Sequence, residues 1–173
     1  MTLRIRMETA DDRDKVRAVL VQAFDNREDE ALLVERIRRS PEFIPELSIL
    51  AETSSGEIAG HLLISKAVVV EGDLRHPVLV LAPLAVKPAC QKSGIGSRLM
   101  EEGLRISREL GYAAVMLIGH PAYYPRFGFK PARAYGIELK QYEVPDEVFM
   151  VCELNGLEGI SGELRYPASF DGI

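Results

Sequence analysis

The sequence predicts a mixed α/β (α+β) fold: a mostly antiparallel sheet with one parallel strand pair, flanked by helices. Three observations predict it. An apolar run over 78–86 leads through Lys87-Pro88 into a glycine-bearing turn, and a helical pattern starts at once. Ahead of that run the apolar segments are joined only by short turns, as in antiparallel hairpins. Behind it, a whole helix intervenes before the next apolar segment at 113–118, so those two strands should run parallel.

From the N-terminus, Leu3-Arg4-Ile5-Arg6-Met7 alternates apolar and charged, the period of a half-buried strand. Thr9 and Asp12 have capping-box spacing, with Asp in the usual Glu position. Val16, Val19, Leu20, Ala23 and Phe24 then share one helical face. A second helix is expected over about 29–39, stopping before Pro41, which disfavours the α conformation at Ser40. Its Glu30, Glu35, Arg36, Arg38 and Arg39 read as a solvated outer face, and 25–28 as a polar linker. Residues 47–52 and 58–65 read as strands joined by a Thr53-Ser54-Ser55-Gly56 turn, with the second continuing over 66–70. Glu71-Gly72-Asp73 turns the chain into the central strand, 78–86. Ile95, Leu99, Ile106 and Leu110 give the next helix its apolar face, Glu101 and Arg105 are an i,i+4 pair, and Gly111 is a natural stop. A late strand is expected over 149–154, and glycine-rich 155–173 reads as turn and tail.

Length and composition fit one globular domain over 1–173, with its core at about 3–154: 173 residues, 47% apolar and 27% charged. A net charge of −5 argues against nucleic acid as a partner, since a phosphate backbone needs a basic face. Any anion must therefore be attracted locally, through backbone N–H groups with Lys87, Lys92 and Arg98. The longest apolar run is far too short to span a membrane, so no membrane partner is expected. Cys90 and Cys152 lie far apart with no metal-ligand spacing, which points to no metal and to a reducing, cytoplasmic setting. Charges interrupt the first fifteen residues, unlike a signal peptide.

The turn Gln91-Lys92-Ser93-Gly94-Ile95-Gly96 is where chemistry is expected. The first N–H groups of a helix lack intrahelical partners and carry the positive end of its dipole, which makes an anion cradle. Gly94 and Gly96 carry no Cβ, so phosphates can approach the backbone. A P-loop, GxxxxGK(S/T), is absent, and Leu99 stands where a dinucleotide fingerprint needs its third glycine. What matches is Q-x-x-G-x-G, as Gln91, Gly94 and Gly96. Downstream, Tyr123-Tyr124-Pro125-Arg126-Phe127-Gly128-Phe129 has the form aromatic-Tyr-x-x-x-Gly-Phe. On these two motifs, in this order, the chain resembles the GNAT superfamily of N-acetyltransferases, which bind acetyl-CoA. GHPAYYPRFGF, with LAPLAV upstream, looks closest to a bacterial subfamily of predicted N-acetyltransferases whose substrates are mostly unassigned.

The resemblance implies a GNAT fold in which the central strand and its parallel neighbour splay apart to admit the pantetheine arm. Leu84, Ala85 and Val86 would supply backbone contacts as an added strand finds them, with the Val86 N–H aimed at the acetyl oxygen. Gln91, Lys92, Ser93, Gly94, Ile95, Gly96 and Ser97 would hold the pyrophosphate. Tyr124, four residues before Gly128, would protonate the departing thiolate, with Tyr123 a packing aromatic. His120, where relatives often have Asp or Asn, would hydrogen-bond the pantetheine or take a proton near neutral pH, or else simply cap the helix that follows. The 25–28 linker would border the acceptor. No base is selected: Glu52, Glu71 and Asp73 stand at strand ends and could act only through water. The implied activity is acetyl-CoA-dependent transfer to an amine of a small molecule or protein. A non-catalytic acyl-CoA sensor on the same fold is the alternative, and a homodimer stays open.

Overall fold

Alternation builds the sheet's first edge. In a computed structural model that describes residues 2–172, β1 (Leu3–Met7) pairs antiparallel with β2 (Ser48–Thr53), Leu3 opposite Thr53 and Met7 opposite Ile49. β2 pairs with β3 (Ile58–Glu71), which turns at Gly72-Asp73 into β4 (Leu74–Val86). The helices are α1 (Arg13–Ala23), α2 (Asp29–Arg38) and α3 (Ile95–Glu109). α3 returns the chain to β5 (Ala114–Ile118), parallel to β4 as expected. β6 (Lys130–Pro131), β7 (Ile137–Leu139), β8 (Phe149–Glu153) and β9 (Gly162–Arg165) complete nine strands among the described residues.

Strand alternation sorts side chains into two cores. Ile49, Leu62, Ile64 and Leu79 pack against Ile95, Leu99 and Met100 of α3. Leu50, Leu63, Val78 and Val80 face the other way, against Val16, Val19 and Leu20 of α1 and Leu33, Val34 and Ile37 of α2. The Thr9–Asp12 box forms: the Thr9 N–H donates to Asp12 Oδ2 at 2.8 Å. The same carboxylate accepts from both Arg6 Nη atoms, at 2.8 and 2.9 Å, and Arg6 together with the Thr9 N–H holds it well below the usual carboxylate range.

Four details differ from expectation. Arg38 turns inward rather than to solvent, 2.5 Å from Glu8, with exposures of 9% and 4%. Glu8 also accepts from Ser48 Oγ, which lies 3.0 Å from the fully buried His61. Burial and the Arg38 charge push His61 down to about 3, so it is neutral at physiological pH. On α3, Arg105 pairs with Glu102 and Glu109 instead of Glu101. β4 begins at Leu74, earlier than the apolar run, because Arg75 and His76 still pair with β3. Finally, the stretch read as turn and tail contains β9, which pairs with Val68–Val70 of β3 and with β7, and buries Phe170. At Gly162, φ is +126° and a Cβ would stand 2.2 Å from the Val70 carbonyl oxygen, so glycine there serves a close strand approach.

What positions the site is a defect in β4. Leu62 pairs with Leu84 but Ile64 pairs with Leu81, so β4 carries one extra residue at Ala82-Pro83. A bulge bends its strand and increases local twist, and Pro83 has no N–H for a ladder. Pairing with β5 is confined to Leu79–Val115 and Val80–Met116. Beyond it the two strands separate, and the β4 edge over 84–86 has no strand partner on that side.

Candidate active site

The open β4 edge runs into the glycine turn. The Lys87 N–H donates to the Ala59 carbonyl at 2.9 Å, so strand alternation turns Val86 and Leu84 toward the gap. Gln91 Nε2 donates to the outward Val86 carbonyl at 3.3 Å, tying the turn to the strand. Lys92 and Gly94 both adopt positive φ, 64° and 85°, which swings the chain into α3. The first helical bond is from the Arg98 N–H to the Gly94 carbonyl at 3.1 Å. The N–H groups of Ile95, Gly96 and Ser97 precede it and have no intrahelical acceptor.

These elements enclose a cavity of about 390 Å³, walled by Leu84, Val86, Gln91, Lys92, Gly94, Ile95, Gly96 and Ser97, with Tyr123 and Arg126 opposite. At Gly96 a Cβ would lie 2.7 Å from the Tyr123 hydroxyl, so the wall closes only around a glycine. The fit to an anionic, extended ligand is good: free N–H groups, two cations and an unpaired strand edge face one space. Of the other expected residues, Ser93 is exposed, with its hydroxyl on the Cys90 carbonyl. Ala85 turns its methyl into the α1/α2 core and, by alternation, its backbone to β3. His120 stands outside the cavity wall, and its Nδ1 accepts from the Ala122 N–H at 3.2 Å, capping the turn behind it.

The cations differ from expectation. Lys87 is held by Glu57 at 2.7 Å, and Arg98 reaches the Leu3 carbonyl at 3.4 Å. Lys92 remains, joined by Arg126, whose guanidinium lies 4.8 Å from the Tyr123 ring centroid and whose Nε donates to the Tyr123 carbonyl. Arg126 sits inside the aromatic motif, so the signal was in the sequence, unread as a charge. The two tyrosines separate: Tyr123 borders the cavity, while the Tyr124 ring packs edge-on to Phe129 and over Gly119, just past β5. Burial pushes the Tyr124 phenol up to about 12, so it stays protonated across the physiological range.

A second cleft, of about 230 Å³, opens on the opposite face of the same gap. Leu81 and Ala82 of β4 and Ile118 of β5 form its floor, and Glu30 of α2 reaches its rim. Glu52 and Glu71 are engaged elsewhere, Glu52 by Arg6 and Glu71 by Ser161 and His76. Asp73 is exposed in the β3–β4 turn. Among the described residues, no helix is long and apolar enough to cross a membrane.

Comparison with known proteins agrees with this geometry. A family model described as an acetyltransferase (GNAT) domain matches residues 4–132. The chain is 36% identical over 137 residues to the uncharacterised N-acetyltransferase YjhQ of Escherichia coli K12, covering 79% of this chain and 74% of that protein. It is 32% identical to the uncharacterised N-acetyltransferase YhbS of the same strain, covering 96% and 98%. The crystal structure of E. coli YhbS in complex with CoA superposes with a TM-score of 0.86 at 30% identity, over 97% of this chain and 91% of that one. A Brucella melitensis GNAT-family acetyltransferase in complex with acetyl-CoA gives 0.80 at 29% identity, over 98% and 99%. With the bulged β4, the separated parallel pair and the glycine turn all inside the matched segment, the chain belongs to the GNAT acetyltransferase family.

Proposed function

We propose that this protein transfers the acetyl group of acetyl-CoA to an amine of a small molecule or protein, by direct attack within a ternary complex, as a cytoplasmic enzyme. One observation carries the reading: an unpaired strand edge leads straight into a glycine turn at a helix N-terminus, and both face one cavity. The two CoA-containing relatives support the choice of donor.

Acetyl-CoA supplies an activated thioester, and the chain's own groups do the rest. The N–H groups of Ile95, Gly96 and Ser97 hold pyrophosphate, with Lys92 and Arg126 adding charge. Gln91, Ser93 and Gly94 shape that turn. Leu84 and Val86 offer outward backbone groups to the pantetheine amides, while Ala85 keeps the strand registered on β3. The Val86 N–H faces the gap where charge develops on the acetyl oxygen. Tyr123 borders the phosphate end, and Tyr124, beyond β5, gives its proton to the thiolate. His120 shapes the turn that presents both tyrosines. A lysine-type amine, of reference pKa about 10.4, must first lose a proton to bulk water; its neutral nitrogen then bonds to the acetyl carbon as the C–S bond breaks, and the departing thiolate takes the Tyr124 proton.

The reading is tested by titrating acetyl-CoA while following thermal unfolding, then measuring thiol release with a panel of amines. A ligand that binds only the native state raises the melting temperature. An unchanged melt at millimolar acetyl-CoA and CoA sinks the reading.

A further inference from the structure

The cleft on the α1/α2 side of the gap combines three features. Its walls are aromatic: Tyr142 and Tyr166 meet edge-to-face at 5.6 Å, and Tyr166 and Phe170 at 4.9 Å. Those walls are fixed in place. The Gln141 amide accepts from the Tyr166 N–H at 2.7 Å and donates to its carbonyl at 3.1 Å, and the Tyr142 hydroxyl donates to the Phe170 carbonyl. The floor is the splayed pair itself, Ala82 on one side and Ile118 on the other.

The third feature is a single carboxylate. Glu30 lines the cleft and has no ion-pair partner among the described residues, because neighbouring Arg27 is taken by Asp29 at 2.5 Å. Burial first, then the charge of nearby Asp29, push the Glu30 carboxyl above its ordinary value; Arg27 offsets this only in part, so compensation of the charged form is incomplete there. A cation entering the cleft would complete it. Aromatic faces attract a cation as well, through the ring quadrupole.

We propose that the acceptor received in this cleft is a small alkylammonium compound, with its cationic head on Glu30 and a short apolar arm between Tyr142, Tyr166 and Phe170. This rests on the acetyl-transfer reading and narrows it. The volume of about 230 Å³ falls below the ~300–1,000 Å³ of sites for drug-sized ligands, which suits a short arm rather than a folded protein surface. The location suits transfer. Ala82 precedes Leu84 by two residues, about 7 Å of strand. The bulge between them turns Ala82 toward the α1/α2 core and Leu84 toward the α3 core, so the two cavities approach the gap from opposite faces.

The test uses 2-phenylethylamine as the ammonium probe, its neutral isostere 2-phenylethanol, and a lysine-containing peptide. Thermal shift and thiol release are followed in the full chain and in Glu30→Gln. The expected result is a melting shift with 2-phenylethylamine and little with 2-phenylethanol. Glu30→Gln should keep its own melt and its acetyl-CoA shift, yet lose at least about tenfold in kcat/KM for the amine, chiefly through KM, as loss of a charge-assisted contact predicts. Rescue of that KM by Glu30→Asp would strengthen the case, since a merely structural role would not respond to charge. Equal shifts by amine and alcohol, a Glu30→Gln enzyme with unaltered kcat/KM, or binding of the peptide alone would each overturn the proposal. The acetyl-CoA shift is read separately, so its loss in wild type marks failure of the transfer reading itself.

Discussion

The two faces of the splayed strand pair are built in opposite ways. On the α3 face, the cavity wall is mostly one contiguous stretch, Leu84 to Ser97, and its chemistry is backbone: free N–H groups, left-handed turns and a glycine. On the α1/α2 face, the cleft gathers Glu30, Ala82, Ile118, Tyr142 and Phe170 from five separate segments, and its chemistry is side chain. On the proposed reading, the backbone cradle would recognise what every thioester donor of this kind shares, phosphate and amide. The side-chain cleft could then change its acceptor by single substitutions while the proposed donor site stays as it is. The two faces should therefore respond to mutation independently.

Four variants would break or sharpen that contrast. The largest effect is expected for Tyr124→Phe, which keeps ring packing against Phe129 but removes the proton. Turnover should fall by ~10²–10⁴-fold in kcat with acetyl-CoA affinity unchanged, read by steady-state kinetics beside calorimetry. With its phenol held at about 12, the wild-type donor stays protonated, so kcat should show no loss from this group as pH passes about 10, the ordinary phenol value. Normal turnover in Tyr124→Phe would hand protonation of the thiolate to water.

Next comes Glu8→Ala, which strands the buried Arg38 guanidinium beneath α2. Breaking such a pair costs about 3 kcal/mol, measurable by denaturant unfolding. Because α2 carries Glu30, acceptor KM should rise while acetyl-CoA affinity holds in the folded fraction. If the donor affinity falls instead, the two faces are coupled.

Gly96→Val sits on the other face. Its side chain would occupy the space below the Tyr123 hydroxyl, where phosphate must come close to the N–H groups. Losing these charge-assisted bonds should weaken acetyl-CoA by about 10²-fold in a titration, with the amine-induced melting shift preserved. Unaltered acetyl-CoA affinity in a folded variant would place the phosphates elsewhere. The smallest effect is expected for Tyr123→Phe: a rise in acetyl-CoA KM of about tenfold or less, with kcat close to wild type. A dead Tyr123→Phe with an active Tyr124→Phe would exchange the roles of the two tyrosines.

Much of this was legible because it is local. Residues 3–7 alternate, so their strand could be read directly. The Gln91–Gly96 turn follows an apolar run and precedes an amphipathic helix, so an anion cradle could be expected from its glycines and the helix N-terminus, and the parallel β4–β5 pair from connection length. Position relative to Gly128 distinguished Tyr124 from Tyr123, and the structure does place the two rings in different environments.

What the sequence by itself determined is thus the fold class, the family motifs and the glycine turn at the α3 N-terminus, because each depends on periodicity, glycine freedom or chain order within a few dozen residues. Tertiary structure alone decided the rest. β7 and β9 are too short to show a period, and β9 owes its strand to Val68–Val70, far away in the chain. Arg38 looked like a surface charge until Glu8 and Ser48 met it beneath α2. Glu30 lay within the same charged pattern, yet it is half-buried and lines one cleft with Tyr142, Tyr166 and Phe170 from the far end of the chain. Burial is a property of what packs around a residue, and no local pattern around Glu30 records the aromatic segments that share its cleft.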